Sequence, residues 1–312
     1  MAEFIWSEKY RPKTIDDCIL PDRLKKLFSK QVESGEVQNM ILSGGPGIGK
    51  TTVAKALCEE LGVNYMVVAS SEDRGMEMLR TKIRNYASSM SFDGRYKVII
   101  LDEADGITLD AQKGLRGAMN EFSENCKFVL TCNYKSKLID AIQSRCPSID
   151  FNLRNDERPQ LAGLLFNRIK TILKTENVEY DEKVLAKIVK TYFPDFRRTI
   201  NEVQRIARAN EKLDAVALPD MNAVRDLGTL MKALKDKDFK EMRKWVVANT
   251  DNDPTHVFRS IYDGLTDHMK SDSIPMACLI LAKYMHQASM VADQEINLVA
   301  CLTELMVDCE YE

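Results

Sequence analysis

Gly44-Gly45-Pro46-Gly47-Ile48-Gly49-Lys50-Thr51 fits the pattern GxxxxGK[ST] between an apolar run, MILS at 40–43, and an amphipathic stretch that starts at Lys50. Glycines in that pattern let the backbone curl until its N–H groups point at phosphate oxygens, and the following helix adds a favourable dipole. Lys50 is placed to bridge β- and γ-phosphates, the Thr51 hydroxyl to hold Mg2+, and Asp102 to hold that metal through water. Asp102 and Glu103 close the run Lys97-Val98-Ile99-Ile100-Leu101. Carboxylates at the C-terminal end of a parallel strand lie where an open sheet binds its ligand. There Glu103 can act as general base on an attacking water, chemistry that suits hydrolysis of a nucleoside triphosphate.

Such groups need a rigid frame, and the flanking sequence supplies its pattern. MILS (40–43), YMVVA (65–69), KVIIL (97–101) and KFVLT (127–131) read as buried strands. Amphipathic segments at 50–61, 75–88 and 108–122 alternate with them, which implies a parallel sheet covered by helices on both faces. After about Phe151 the strands are expected to stop. Segments 156–175, 181–192 and 197–211 read as three helices, and 222–235, 238–248, 254–270, 274–291 and 295–308 as more. The division expected is a nucleotide-binding α/β domain at 1–152, a helical domain at 153–218 and a second helical domain at 219–312.

Composition excludes several classes. With 312 residues, 45% hydrophobic and 29% charged, the chain is a multidomain globular protein rather than a disordered or fibrous one. A net charge of −3, from 44 basic and 47 acidic residues, leaves nucleic-acid binding to a local patch rather than to bulk charge. The apolar run Ile274 to Ala282 ends at Lys283, short of the ~18 residues a membrane span requires. The charged N-terminus MAEFIWSEKY is not a secretion signal, so an intracellular, membrane-free protein is expected. Eight cysteines without a CxxC read as scattered buried thiols rather than disulfides or a zinc site. The string DEAD at 102–105 also occurs in RNA helicases, but those carry two sheet domains and this pattern offers one.

The segments WSEKYRP (6–12), GGPGIGKT, SSEDRG (70–75), ILDEAD (100–105), TCNYKSKLIDAIQSRC (131–146) and FPDFRRT (193–199) occur together and in order. Together they resemble the sliding-clamp loader ATPases of the AAA+ superfamily. The chain is similar to the small subunits of replication factor C. FDGRYKVIILDE (92–103) and FPDFRRT look especially like the large subunit of T4-like bacteriophage clamp loaders. The resemblance implies an AAA+ P-loop domain, a helical lid and a helical collar that serves oligomerisation.

It also implies ATP and Mg2+ as cofactors, with DNA replication as the setting. Implied partners are several copies of this chain with a distinct small subunit in a pentamer, a sliding clamp and primer–template DNA. The compartment would be the cytoplasm, of an infected bacterial host if viral, or the nucleus if eukaryotic.

On that resemblance Arg145 of the SRC string is an arginine finger acting in trans on the nucleotide held by a neighbouring subunit. Asn133 is the first sensor, orienting the lytic water. Arg197 is the second sensor, with Arg198 its rival; Pro194 would suit the start of a helix there. Tyr10, Arg11 and Pro12, with Ile19, pack on the adenine. Gly45, Pro46, Gly47, Ile48, Gly49, Lys50, Thr51 and Thr52 hold the phosphates.

In segment 75–88, Met76, Leu79, Ile83 and Tyr86 recur at helical spacing and face the core. Arg80 and Arg84 flank that stripe, with Lys82 and Arg74 nearby, and by resemblance this helix tracks the phosphate backbone of DNA. Gln112 falls on a junction between nucleotide site and DNA-lining helix. Gly114 and Gly117 in the same segment each cost about 1 kcal/mol against Ala, which close approach of a neighbouring backbone would explain. The alternatives left open are a non-hydrolysing structural subunit and another AAA+ ATPase acting on branched DNA. An intact Lys50, Glu103 and Arg145 weigh against the first; SRC and the lack of a β-hairpin insertion in 40–150 weigh against the second.

Overall fold

The computed structural model describes residues 4–69, 76–89, 96–210, 212–213, 227–250, 252, 254–288 and 290–311. Two short-range features precede the sheet: α1 (Trp6–Lys9) and α2 (Asp22–Ser34), neither of which the apolar pattern announced. Then β1 (Met40–Ser43), α3 (Lys50–Glu60), β2 (Tyr65–Ala69), α4 (Met76–Ser88), β3 (Lys97–Asp102), α5 (Leu109–Glu121), β4 (Cys126–Cys132), α6 (Asp140–Gln143) and β5 (Ser148–Asp150) follow in alternation. The strands form one sheet of order β2-β3-β4-β1-β5, and every pairing is parallel.

This order sets the chemistry. Ser43 pairs with Cys132, and Leu101 with Leu130, so the loops leaving β1, β3 and β4 emerge side by side at one edge. The middles of the central strands are apolar because both their faces are covered. Leu42, Val98, Ile100 and Val129 pack with Phe28, Val53 and Leu57 on the α2–α3 side. Ile41, Ile99, Leu101, Phe128 and Leu130 pack with Ile83 of α4 and Leu115 and Met119 of α5 on the other. The strand alternation thus divides one apolar sequence between two cores.

The lid continues the same compact unit, which spans residues 1–218. It contains α7 (Arg158–Thr175), β6 (Glu179–Tyr180), α8 (Glu182–Tyr192), α9 (Phe196–Asn210) and β7 (Lys212–Leu213). Leu165, Ile169, Leu185, Ile188, Val203 and Ile206 form its core. Two details depart from expectation. Strands do not end near Phe151: β6 and β7 pair in parallel, but two residues each are too short to leave a period-two pattern. Pro194 is not in the first turn of α9. It precedes Asp195, whose carboxylate accepts from Arg198 N at 2.8 Å and so satisfies an otherwise open donor of the helix start.

Residues 219–312 form a second compact unit of α10 (Leu227–Lys235), α11 (Phe239–Asn249), α12 (Pro254–His268), α13 (Ile274–Ala288) and α14 (Gln294–Asp308). The expected start of α10 at 222–226 lies outside the described residues. Trp245, Phe258, Ile261, Leu281 and Leu302 anchor a single core there. Among the described residues no helix is long and apolar enough to cross a membrane. All eight cysteines are free, seven of them buried, and burial pushes the thiols of Cys58, Cys126 and Cys146 up to about 12.

Candidate nucleotide site

A cleft of about 1100 Å3, measured out to bulk solvent, runs between the sheet edge and the lid. Pro46, Gly47, Ile48, Gly49, Lys50, Thr51 and Thr52 line it from the phosphate loop. Asp102, Glu103 and Asn133 line it from the strand ends, Tyr10, Arg11, Pro12 and Ile19 from the N-terminal segment, and Arg197 from the lid. Gly45 does not; its N–H donates to Asn152 Oδ1 at 3.3 Å.

The phosphate end is built by α3. Gly49, at φ +92°, turns the chain into the helix, and no side chain caps the helix start. The first-turn N–H groups are therefore open to an anion. Lys50 is 8% exposed; its Nζ donates to Gly44 O and Gly45 O at 2.7 Å and to Asn133 Oδ1 at 3.0 Å. Burial lowers its pKa, while Cys132, Asp102 and Asp105 pull the other way. An ammonium held in this way gains from a phosphate partner.

The acidic pair is held by a residue the sequence reading passed over. Thr131, 1% exposed on β4, donates to Asp102 Oδ1 at 2.5 Å and accepts from Glu103 N at 3.1 Å. Thr51 Oγ1 donates to the same Asp102 oxygen at 2.6 Å. A lone hydroxyl in the apolar run KFVLTC was the available signal. Glu103 itself sits at φ +55°, a left-handed conformation that costs a non-glycine residue about 1–3 kcal/mol and marks functional sites. Asp105 of the DEAD string accepts from Asn133 N at 3.2 Å and Tyr134 N at 3.1 Å, so it positions the backbone that carries Asn133.

The lid touches the phosphate loop directly. Phe196 N donates to Gly47 O at 3.0 Å. Gly47 has φ +69°, and a Cβ there would lie 1.8 Å from Asp195 Oδ1. Gly47→Ala combines left-handed strain with that overlap, so ATP affinity should fall about tenfold or more for ~1–3 kcal/mol of strain. Calorimetric titration checks this, and wild-type affinity in the variant would mean the loop binds in another conformation. Arg197 lines the cleft, whereas Arg198 lies over the Tyr192 ring at 5.0 Å. Leu165, Arg168, Phe196 and Ile200 also line it; the first two and Ile200 come from segments that the sequence marked only as helical.

Arg145 is elsewhere. It is exposed, with Nε donating to Asn120 Oδ1 at 3.0 Å and Nη1 to Ala141 O at 2.8 Å, and it does not line the cleft. Gln112 is 2% exposed. Its Nε2 donates to Lys137 O at 3.0 Å and its Oε1 accepts from Ile139 N at 2.8 Å, joining α5 to the segment before α6. Gly117 is exposed, and among the described residues outside its own helix an added Cβ would meet nothing within 4 Å.

On α4, Lys82 and Arg84 are exposed, and Arg84 pairs with Glu121 at 3.3 Å. Arg74 and the side chain of Arg80 lie outside the described residues. Lys97, buried at the start of β3, caps the end of α4 by donating to Ser89 O at 2.7 Å and Tyr86 O at 3.2 Å.

The parallel sheet, phosphate loop, strand-end acids and helical lid define an AAA+ ATPase, and a family model described as "ATPase family associated with various cellular activities (AAA)" matches residues 40–152. A second, described as "Sliding-clamp-loader large subunit, AAA+ ATPase lid domain", matches residues 160–218. The sliding-clamp-loader large subunit of Enterobacteria phage T4 is 40% identical over 249 residues, 77% of this chain and 76% of that protein. The replication factor C small subunit of Haloarcula marismortui is 34% identical over 250 residues, 77% of this chain and 75% of that one. The chain therefore belongs to the sliding-clamp-loader family of AAA+ proteins, and it is an ATPase. Among solved structures, the Thermotoga maritima RuvB Holliday junction branch migration motor matches with a TM-score of 0.56 at 18% identity, covering 80% of this chain and 78% of that one. At that identity the likeness speaks for the fold alone.

Proposed function

We propose that this chain is an ATP-hydrolysing subunit of a clamp loader in which several copies, with a distinct small subunit, form a pentamer that opens a sliding clamp and closes it around primer–template DNA. ATP binds in the cleft with its phosphates on the loop and on Lys50. Arg197 approaches the γ-phosphate from the lid, so lid orientation follows nucleotide state. Glu103 takes the proton of the attacking water, and Asn133 orients that water.

The cleft suits Mg2+, which would be held by Thr51 Oγ1 and the Asp102 carboxylate. These are hard oxygen donors already converging within 2.6 Å, and Mg2+ is commonly held by one or two protein oxygens together with substrate phosphates. When bound it neutralises phosphate charge.

The observation that carries the assembly reading is the position of Arg145. The cleft of its own chain already has Lys50 and Arg197, while the Arg145 guanidinium is exposed, outside that cleft. A rigid fork presented outward in this way suits a γ-phosphate held by a neighbour. Hydrolysis then depends on assembly. Helix α4, with Arg80, Lys82 and Arg84 and with Arg74 two residues before it in sequence, is the DNA-tracking element in this account; Arg84 would exchange Glu121 for phosphate.

The test is ATP turnover measured with and without primed DNA and a cognate clamp. Both should stimulate it together, and DNA affinity should fall linearly in log salt as counterions are released. Turnover indifferent to both would remove clamp loading from the account. The RuvB fold likeness favours no branched-DNA reading, since the site residues carry no signal for one.

A further inference from the structure

The N-terminal strap that lines the cleft belongs mechanically to the lid. Trp6 N donates to Gln204 Oε1 at 3.0 Å, and Gln204 Nε2 donates back to Phe4 O at 2.5 Å. Arg208 also donates to Phe4 O. Lys9 Nζ and Tyr10 OH converge on one oxygen, Glu176 Oε1, at 2.7 and 2.5 Å. Arg11 pairs with Glu8 inside the strap. Among the described residues, the side-chain hydrogen bonds that residues 4–11 make beyond their own segment all go to the lid. The first tie to the sheet module comes later, where Ile15 N donates to Glu60 Oε2 at 2.7 Å.

Glu176 is an odd residue to find there for stability alone. It is the C-cap of α7, where a negative charge opposes the helix dipole, and its bond to Lys9 is an exposed pair of the kind that contributes little. The Lys9 ammonium, and next the Tyr10 hydroxyl, hold its carboxyl below the usual range. Burial and then Glu176 raise the Tyr10 phenol. The phenol therefore stays a donor and the carboxylate an acceptor around neutral pH.

We propose that Glu176 is a positioning residue for recognition of the nucleotide base: it fixes the Tyr10 ring against the cleft through the phenol oxygen and so makes the base pocket move with the lid. This rests on the reading that the base lies against Tyr10, Arg11 and Pro12 while Lys50 holds the phosphates. Two anchors of one ligand then sit on two elements of the same unit, the phosphates on the loop after β1 and the base on a strap tied to the lid. Binding ATP closes the lid through its base as well as through Arg197, whereas a bare phosphate chain engages only the first element.

The experiment is titration of the full chain with ATP and, separately, with inorganic tripolyphosphate. Glu176→Ala and Tyr10→Phe should each weaken ATP about three- to tenfold, the net scale of one hydrogen bond. Both should leave tripolyphosphate affinity unchanged. Glu176→Gln, whose amide oxygen still accepts, should retain most of the affinity for ATP. The double variant Tyr10→Phe/Glu176→Ala should be no weaker than either single one, because both remove the same contact. Additive losses, or an equal loss for tripolyphosphate, would overturn the proposal by showing a general effect on the lid. Tyr10→Ala separates the two layers. If it weakens ATP while Tyr10→Phe and Glu176→Ala do not, the tether fails and the base reading stands. If Tyr10→Ala leaves ATP affinity intact, the base reading fails and the proposal with it.

Discussion

Glu103→Gln should bind ATP with near-normal affinity and lose hydrolysis by about 10²–10⁴-fold, the usual contribution of a positioned general base. The substitution preserves shape and the left-handed backbone at φ +55°, which Thr131 supports through Glu103 N. What it removes is the carboxylate able to take a proton. With clamp and primed DNA present, the variant should accumulate an ATP-bound complex that does not turn over. Single-turnover hydrolysis beside equilibrium nucleotide binding checks both halves. A near-normal rate would assign the base to another group.

Arg145→Ala should leave each subunit's own ATP binding intact and reduce assembled, DNA-stimulated hydrolysis. Arginine fingers contribute roughly 10³–10⁵ in rate in phosphoryl transfer, and a loss at the low end is expected here because Lys50 and Arg197 remain in the cleft. The sparing of binding follows from geometry: Arg145 bonds Asn120 and Ala141, and nothing that lines its own cleft. Equal losses of binding and turnover would make it a structural arginine. The same contacts explain how a surface guanidinium keeps one orientation, since Nε and Nη1 donate to Asn120 and to the Ala141 carbonyl.

The chemistry of this chain was largely legible in its sequence because it depends on short-range order. The phosphate loop needs only consecutive residues and the strand before them, and Asp102 and Glu103 declare themselves by ending an apolar run. Four strands of the sheet were legible as short apolar runs, whereas β5, three residues at the sheet edge with only Ile149 apolar, was not. What escaped depends on contacts distant in sequence. Thr131 looks like any strand threonine until Asp102 is seen beside it. Leu165, Arg168 and Ile200 lie in segments that the sequence marks only as helical, and only the fold brings them to the cleft. Glu176 and Gln204 lie more than 160 residues from their partners in the strap. Short pairings such as β6–β7 leave no periodicity, and the Asp195 cap displaces Pro194 from the helix start that its residue type favours.

The central claim, that a subunit's active site is completed by its neighbour, is tested most directly by mixing two inactive proteins. One carries Lys50→Ala and cannot hold the triphosphate; the other carries Arg145→Ala and cannot serve a neighbour. At a mixed interface, the intact phosphate loop of the Arg145→Ala chain meets the intact Arg145 of the Lys50→Ala chain. DNA-stimulated ATP hydrolysis should then reappear in the mixture at a level neither protein shows alone, scaling with the fraction of mixed interfaces. If the two variants co-assemble and the mixture stays inactive, Arg145 acts within its own chain or only as a structural residue, and the interfacial account is contradicted.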